Sequence, residues 1–296
     1  MCTTCGCSDG ALPRLTDPAT GEILTLDAAA PPGARATRPA RAPDPAAAVA
    51  VAGAHGTTVP LEQAVLAEND RLAERNRTWL AARGILALNL VSSPGAGKTT
   101  LLERTLRDRP DPLSIGVIEG DQETLFDAER IRATGCRAVQ INTGTGCHLD
   151  ADMIAGALDR LAPPPGSLVM IENVGNLVCP ALFDLGEAAK VAILSVTEGT
   201  DKPLKYPHLF RSARLMILNK IDLLPHVDFD VTSCIAFARR VNPDIEVIPL
   251  SATSGEGLDD WYAWLRRQRD EIRRDASPEP RGSGIDEPPP LRPRAR

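Results

Sequence analysis

The chain has few aromatic residues, no basic excess and no long apolar run. Aromatic residues make up 3% of its 296 positions, so alanine, leucine and valine must supply most of a core, as in helices packed on a β-sheet. The formal net charge of −6 argues against a protein that coats nucleic acid, because neutralising phosphates requires clustered Lys and Arg. No apolar run reaches the roughly 18 residues of a membrane-spanning helix, so we expect no membrane span.

Cysteine use and the first residues indicate a reducing compartment. No charged segment followed by an apolar one, the pattern of a secretory signal, is visible at the start of the sequence. The chain has 7 cysteines, an odd number, which favours thiols or metal ligands over a disulfide framework. Its 4 histidines are scattered, so no His-rich storage tract exists. We expect a cytoplasmic protein.

Composition divides the chain into four parts. Residues 1–7 (MCTTCGC) form a cysteine cluster. Residues 8–59 are rich in Ala and Pro, and we interpret them as a flexible tether, because the prolines weaken the alternative of an Ala-rich helix. Residues 60–274 form the globular body. Residues 275–296 are Pro-rich with mixed charge, and we expect this tail to be disordered.

Apolar runs typical of buried strands alternate with helical patterns in the body. Such alternation implies right-handed crossovers and an α/β fold, with a doubly wound, mainly parallel sheet. Ligands bind such sheets outside the carboxyl ends of the strands. The predicted strands are Leu86–Ser92, Ser114–Gly120, Ala138–Thr143, Ser167–Asn173, Lys190–Val196, Arg214–Lys220 and Ile245–Ser251.

A glycine loop typical of phosphate-binding proteins follows the first predicted strand. The sequence SSPGAGKTT leads into a helical pattern, so convergent backbone N–H groups can bind phosphate. Lys98 would contact the β- and γ-phosphates, and the Thr99 hydroxyl would bind Mg²⁺. Ser92 stands where the generic motif has its first glycine. We expect the nucleotide to contact Gly95, Ala96, Gly97, Lys98, Thr99 and Thr100.

The sequence NKID, from Asn219 to Asp222, indicates the identity of the base. The Asp222 carboxylate can accept two hydrogen bonds from guanine, and adenine lacks both donors, so GTP and GDP are favoured over ATP. Lys220 would pack over the base, and Asn219 would hold its loop to the neighbouring loops. The backbone of Ser251 and Ala252, at the next strand end, would contact the guanine oxygen.

Acidic residues at two strand ends complete the predicted catalytic site. Asp121 follows the second predicted strand, and Glu172 lies at the end of the fourth. Carboxylates there can orient an attacking water or bind Mg²⁺, although acids at strand ends also serve as helix caps. Gly175 could donate its N–H to the γ-phosphate. We therefore expect Lys98, Asp121 and Glu172 to be catalytic, and Thr99, Asp121 and Glu172 to hold Mg²⁺.

Three cysteines at the start of the chain are candidate metal ligands. Cys2, Cys5 and Cys7 place three thiols within six residues. With a nitrogen atom as fourth donor, these thiols could surround one metal ion. A planar arrangement of the four donors suits Ni²⁺, and a tetrahedral one suits Zn²⁺. A redox or accidental CxxC motif is the alternative.

A second candidate metal site combines cysteine and histidine. Cys147 and His148 follow the third predicted strand, and Cys179 comes just after the fourth. Because both segments lie at the nucleotide-facing edge of the sheet, the three side chains could converge. Isolated Cys and His residues more often pack in a core, which is the role we predict for Cys136 and Cys234, in helical patterns.

Together, the motifs MCTTCGC, SSPGAGKTT, IEGDQET, NTGTGCHLD, IENVGNLVCP, TEGTDKPLKYP and NKIDLLP resemble those of the hydrogenase nickel-incorporation GTPases of the HypB family. The resemblance covers residues 1–7 and about 61–274. It implies a dimerising P-loop GTPase of the SIMIBI class that hydrolyses GTP slowly. It also implies a partner nickel protein, HypA, and the [NiFe] hydrogenase large-subunit precursor as the recipient of nickel.

The same resemblance implies two nickel sites of different strength. The tight site of the family corresponds to Cys2, Cys5 and Cys7. The weaker, nucleotide-coupled site corresponds to Cys147, His148 and Cys179. Whether nickel or zinc occupies the weaker site stays open. A urease-type nickel GTPase would share the fold, but its metal motif is usually Cys-Pro-His, whereas this chain has Cys-His-Leu. A metal storage protein would bind metal without turnover, and a small-molecule kinase would not need NKID.

Overall fold

One sheet of nine strands forms the centre of the described part of the chain. The computed structural model describes residues 14–16, 23–25, 58–108, 114–121, 126–144 and 146–276. Cys2, Cys5 and Cys7 lie outside these residues, as does the predicted tail from residue 277 onwards. The strands are β1 (Arg14–Thr16), β2 (Ile23–Thr25), β3 (Leu86–Ser92), β4 (Ile115–Asp121), β5 (Arg137–Asn142), β6 (Leu168–Glu172), β7 (Ala189–Ser195), β8 (Ala213–Asn219) and β9 (Glu246–Pro249).

Helices connect most of these strands. Nine α-helices lie in the described ranges, together with a 3-10 helix at Ile221–His226. They are α1 (Thr58–Ala81), α2 (Lys98–Asp108), α3 (Phe126–Ala133), α4 (Ala151–Leu161), α5 (Cys179–Leu182), α6 (Lys202–Lys205), α7 (Pro207–Ser212), α8 (Val231–Val241) and α9 (Leu258–Ala276). Among the residues that the structure describes, no helix combines the length and apolar character needed to cross a membrane.

The strand order is β2-β1-β5-β4-β6-β3-β7-β8-β9. All pairings from β5 through β9 are parallel, whereas β1 is antiparallel to both β2 and β5. The prediction of a mainly parallel α/β sheet is confirmed, and each predicted strand exists with bounds within two residues. The loops at the carboxyl ends of β3, β4, β6 and β8 therefore meet at one edge.

Both faces of the sheet are covered by helices. Leu86, Leu88 and Leu90 of β3 pack in a cluster with residues of α2 and α9. The alternate residue Ala87 packs with residues of α1 and α4. Val91 joins a third cluster with residues of α7 and α8. Burial on both faces explains the continuous apolar run that predicted this strand.

The predicted tether contains two short strands, and its last two residues begin α1. Arg14–Thr16 and Ile23–Thr25 form a short antiparallel pair, and β1 extends the sheet beyond β5. The prediction that all of residues 8–59 are flexible is therefore wrong at these strands. Leu15 is buried against residues of α1 and α4. Strands of three residues carry almost no periodic signal, and β1 joins the sheet by backbone pairing with a strand far along the chain.

Candidate nucleotide and metal site

The phosphate-binding loop joins the end of β3 to the start of α2. Gly95 and Gly97 adopt positive φ angles of 73° and 96°, which glycine adopts without strain. At Gly97 an added Cβ would also clash with the Asn219 side chain. The loop therefore folds tightly against the NKID segment, with its backbone turned towards the start of α2. This is the geometry that presents N–H groups to a phosphate.

A cavity of about 420 Å³ opens above this loop. Residues 92–100, the carboxyl ends of β4 and β6, Arg130 and Lys220 line it. Its volume lies within the range of about 300–1,000 Å³ that small-molecule sites occupy. The predicted phosphate-loop residues, Asp121 and Glu172 all face this one space.

Ser92 holds the loop lysine. The Lys98 ammonium donates a hydrogen bond of 2.9 Å to the Ser92 hydroxyl. That hydroxyl in turn donates to the Ser93 carbonyl at 2.6 Å. Lys98 is only 9% exposed, so a glycine in place of Ser92 would remove a neutral partner of a largely buried cation. The departure from the generic motif thus has a structural use.

The residues predicted to hold Mg²⁺ form an oxygen-rich group. The Thr99 hydroxyl donates to the Glu172 carboxylate at 2.6 Å, and Asp121 lines the same cavity. Glu172 is 5% exposed. Hydroxyl and carboxylate oxygens are the ligands that Mg²⁺ prefers, with phosphate oxygens and waters completing its shell. The residues present therefore fit the ion.

Glu119 is an acidic residue of this cavity that the sequence analysis did not single out. It lies opposite Glu172 in the register of β4 and β6, and it is 2% exposed. Side chains at i and i+2 share one face of a strand. The spacing of Glu119 and Asp121 in IEGDQET could therefore have indicated both residues together.

Asn219 links three loops at the end of the cavity where the base is predicted to bind. Its amide donates to the Ala96 carbonyl at 2.9 Å. Its side-chain oxygen accepts from the backbone N–H groups of Lys220 at 2.8 Å and Ala252 at 3.1 Å. The residue is 1% exposed, so this one side chain fixes the phosphate loop, NKID and SAT relative to each other.

The remaining residues predicted to recognise the base are placed differently from one another. Lys220 has a left-handed φ of 64°, and its ammonium donates to the Gly95 carbonyl at 2.6 Å. Asp222 lies exposed on the 3-10 helix, where water can satisfy it until a base covers it. The N–H groups of Ser251 and Ala252 donate to Glu256 and Asn219. The expected contact with the guanine oxygen therefore requires another donor, or a bond that shifts on binding.

The three residues of the second candidate metal site converge. The sulfur atoms of Cys147 and Cys179 are 3.0 Å apart, and the Cys147 sulfur is 3.6 Å from Nδ1 of His148. All three ligand atoms lie within 4.8 Å of one another. The His148 ring packs on Phe183, with ring centroids 3.9 Å apart. Two sulfurs and one imidazole nitrogen form a donor set that suits Zn²⁺ or Ni²⁺ and leaves room for a further ligand.

Burial favours the metal-binding form of the imidazole. It lowers the pKa of His148 to about 4, so the ring is neutral at pH 7 and keeps a lone pair for a metal.

Two further cysteines lie apart from this cluster. Cys136 donates to the Ile115 carbonyl at 3.0 Å. Burial raises the pKa of Cys234 to about 12. Cys234 lies in α8 as expected, whereas Cys136 lies between α3 and β5 rather than in a helix.

Comparison with known proteins identifies the family. The family model described as CobW/HypB/UreG, nucleotide-binding domain, matches residues 86–249. A hydrogenase maturation factor HypB from Azotobacter vinelandii is 55% identical over 291 residues, which cover 91% of this chain and 93% of that protein. The chain belongs to the HypB family. The HypB of Escherichia coli K12 is 54% identical, with 91% of this chain and 99% of that protein covered.

Solved HypB structures share the fold. The crystal structure of HypB from Archaeoglobus fulgidus matches with a TM-score of 0.64 and 42% identity, covering 69% of this chain and 99% of that one. The HypB of Helicobacter pylori, solved in complex with nickel, matches with a TM-score of 0.65 and 37% identity. That match covers 69% of this chain and 96% of the other.

One segment of this HypB chain contacts both candidate sites. Asn173 lines the nucleotide cavity, and its side-chain oxygen accepts from the Leu149 N–H at 3.3 Å. The Asn176 amide donates to the Cys147 carbonyl at 3.3 Å. A Cβ on Gly175 would lie 3.1 Å from a side-chain atom of Pro94 in the phosphate loop. We call residues 173–178 the bridging segment. No role was predicted for its two asparagines from the sequence.

A lysine from the TEGTDKP motif of this HypB chain also reaches the phosphate loop. The Lys202 ammonium donates to the Ser93 hydroxyl at 3.3 Å and lies 3.2 Å from a Glu198 carboxylate oxygen. The motif carried the family resemblance, but no role was predicted for this residue. Because Lys202 lies far along the chain from SSPGAGKTT, no local pattern indicates this contact.

Proposed function

We propose that this HypB chain hydrolyses GTP and that its nucleotide state controls nickel bound at Cys147, His148 and Cys179. Nickel would then pass towards the [NiFe] hydrogenase large-subunit precursor during its maturation. The observation that carries the proposal is the bridging segment. It lies against the phosphate loop at Gly175 and hydrogen-bonds to the loop that holds two of the metal ligands. A shift caused by the γ-phosphate would therefore move one metal ligand loop relative to another.

Each residue of the nucleotide site has a proposed role in hydrolysis. Lys98 would stabilise negative charge on the β- and γ-phosphates, and Ser92 would hold its ammonium until phosphate binds. Thr99 and Glu172 would hold Mg²⁺, which neutralises charge on the phosphate oxygens when it is bound. Asp121, at the end of β4 on the cavity wall, would orient the attacking water. The Gly175 N–H would contact the γ-phosphate and report its presence to the bridging segment.

Base selection would depend on the NKID loop. The Asp222 carboxylate would accept from two N–H donors of guanine once the base covers it. An adenine would leave that covered carboxylate without donors, which costs about 1–3 kcal/mol or more for a charged group. Lys220, tied to the Gly95 carbonyl, would keep its stem across the base plane. These roles support GTP and GDP as the ligands.

A second nickel site at Cys2, Cys5 and Cys7 belongs to the same proposal. Cys7 precedes Arg14 by seven residues, a span of at most about 25 Å when extended. Arg14 pairs with Asn142 at the carboxyl end of β5. The chain from the cysteine cluster therefore reaches β1 at the same sheet edge as the Cys147–His148 loop.

Partners and metal identity extend the proposal further. Relatives that are 54–55% identical are named hydrogenase maturation factors, and the Helicobacter pylori structure contains nickel. These findings support nickel as cargo in hydrogenase maturation. We further propose HypA and the hydrogenase precursor as partners and a GTP-dependent homodimer as the active form. The Helicobacter pylori relative is named a hydrogenase/urease maturation factor, so urease maturation is the alternative destination. Zn²⁺ could occupy the second site through the same donor set.

Nickel release during GTP turnover tests this function. The full chain is loaded with Ni²⁺, and transfer to a coloured chelator is followed after GTP or GDP is added. We expect release to change with GTP in the wild-type protein and not in Lys98→Ala. A storage protein would release nickel at one rate in all cases, and that result would refute a nucleotide-controlled delivery role.

A further inference from the structure

The helix that carries Cys179 is a single turn. α5 spans Cys179–Leu182, with a proline at its second position. A helix of four residues cannot hold its own conformation, because nucleation costs more than one turn returns. The position of the Cys179 sulfur must therefore be set by contacts from outside the helix.

Lys190 supplies such contacts. This residue lies in β7 and is 7% exposed. Its ammonium donates to the carbonyls of Pro180 at 2.9 Å, Ala181 at 3.3 Å and Phe183 at 3.2 Å. Three acceptors use all three N–H donors of a protonated lysine. A cation beneath the carboxyl-terminal carbonyls of a helix is also electrostatically favourable.

Buried polar side chains connect Lys190 to a residue of the nucleotide cavity. A Glu187 carboxylate oxygen lies 3.8 Å from the ammonium and accepts from the Asn89 amide at 3.1 Å. The Asn89 oxygen accepts from the Asn173 amide at 3.2 Å. These four residues are all buried. A polar chain within the apolar core thus runs from the Cys179 helix to the start of the bridging segment.

We propose that Lys190 is a positioning residue for nickel binding, because it fixes the short helix that presents Cys179 to the metal. This inference rests on the proposed nickel site at Cys147, His148 and Cys179. Lys190 does not touch the metal, and it acts through the backbone carbonyls that follow the ligand. Groups that orient metal ligands in this way typically change affinity by about 10- to 100-fold when replaced.

Replacement by a side chain of similar length tests the role. The background is the full chain with Cys2, Cys5 and Cys7 changed to Ala, so that nickel reports on the second site. In this background we expect Lys190→Met to weaken Ni²⁺ binding by about 10- to 100-fold and to shift the thiolate-to-nickel charge-transfer absorption. Lys205→Met is the matched control, because Lys205 is exposed and pairs with Asp201 at the surface. It should change Ni²⁺ affinity by less than about twofold.

Two further variants separate positioning from loss of stability. Lys190→Arg keeps the cation but reshapes its donors, so it should fold, with an altered charge-transfer spectrum and an affinity between those of the parent and Lys190→Met. Asn89→Ala disturbs the same buried network but leaves both the Lys190–Glu187 pair and the carbonyl contacts of Lys190 in place. It should change Ni²⁺ affinity by less than about twofold. An effect of Asn89→Ala as large as that of Lys190→Met would overturn the inference.

The outcomes also distinguish this inference from the function on which it rests. Parent protein that binds no Ni²⁺ would refute the nickel site itself, and the role of Lys190 with it. Parent protein that binds Ni²⁺, with unchanged affinity and spectrum in both Lys190 variants, would refute the positioning role alone.

Discussion

Replacement of Asn219 by alanine should separate nucleotide binding from general stability. The side chain is buried, and it satisfies the Ala96 carbonyl and the N–H groups of Lys220 and Ala252. Asn219→Ala removes all three bonds at once and leaves three backbone groups without their partner.

The size of the effect follows from those three groups. A buried polar group that loses its partner costs about 1–3 kcal/mol. The lower end of this range, about 1 kcal/mol for each group, gives about 3 kcal/mol in total. For a domain of this size that corresponds to a fall in melting temperature of about 6–12 °C. In Asn219→Ala, nucleotide binding must order loops that the Asn219 side chain already holds in the wild-type protein. We therefore expect guanine-nucleotide affinity to fall by about 10- to 100-fold, or about 1.4–2.7 kcal/mol.

Asn242→Ala is the matched control. Asn242 donates to the carbonyls of Phe210 at 3.1 Å and Ala213 at 2.9 Å, and it accepts from the Asp244 N–H at 3.1 Å. It therefore ties loops together as Asn219 does, but its partners do not line the nucleotide cavity. Thermal unfolding should show a loss of stability for both variants, smaller for Asn242→Ala because Asn242 is only half-buried, whereas calorimetric titration with GDP should show weakened binding only for Asn219→Ala. Equal GDP affinity in the two variants would refute the reasoning.

Three further predictions follow from individual residues. Lys98→Ala should abolish GTP hydrolysis and weaken GTP binding, because the phosphates lose their cation; unchanged turnover would remove the phosphate-loop assignment. Asp222→Asn should exchange guanine preference for xanthine, since the amide donates where the carboxylate accepted; a competition assay with undiminished GTP selectivity would argue against NKID as the base reader. Changing Cys2, Cys5 and Cys7 together to Ala should remove the tighter Ni²⁺ site in a metal titration. Unchanged tight binding would place that site elsewhere.

Local patterns made the sheet and the phosphate loop predictable. β3 is an apolar run buried on both faces, and the glycine loop follows it directly, so pattern and conformation depend on the same few residues. The strands β1 and β2 were not predictable, because three residues carry almost no pattern and because β1 joins the sheet through β5, which lies more than 100 residues away. Tertiary pairing, rather than local propensity, determines such strands.

The candidate site was predictable in its residues but not in its connections. Strand ends placed Cys147, His148 and Cys179 at one sheet edge, yet β5 and β6 are separated by β4. Their convergence therefore depends on how the following loops fold. In the sequence, Lys190 begins the apolar run KVAILSV. No local pattern indicates that its ammonium donates to three carbonyls in and just after the Cys179 helix. Buried polar contacts of this kind join residues far apart in sequence, so they appear only once the chain is folded.

Nucleotide-dependent nickel affinity tests the central claim most directly. Any differential effect of GTP and GDP on nickel must be matched by an equal effect of nickel on the preference for the two nucleotides, because linkage is reciprocal. The measurement is the Ni²⁺ affinity of the chain with Cys2, Cys5 and Cys7 changed to Ala, taken with GDP and with a non-hydrolysable GTP analogue. We predict a difference of about tenfold, which requires only about 1.4 kcal/mol of differential interaction. Equal affinities in the two states would contradict nucleotide control of Cys147, His148 and Cys179.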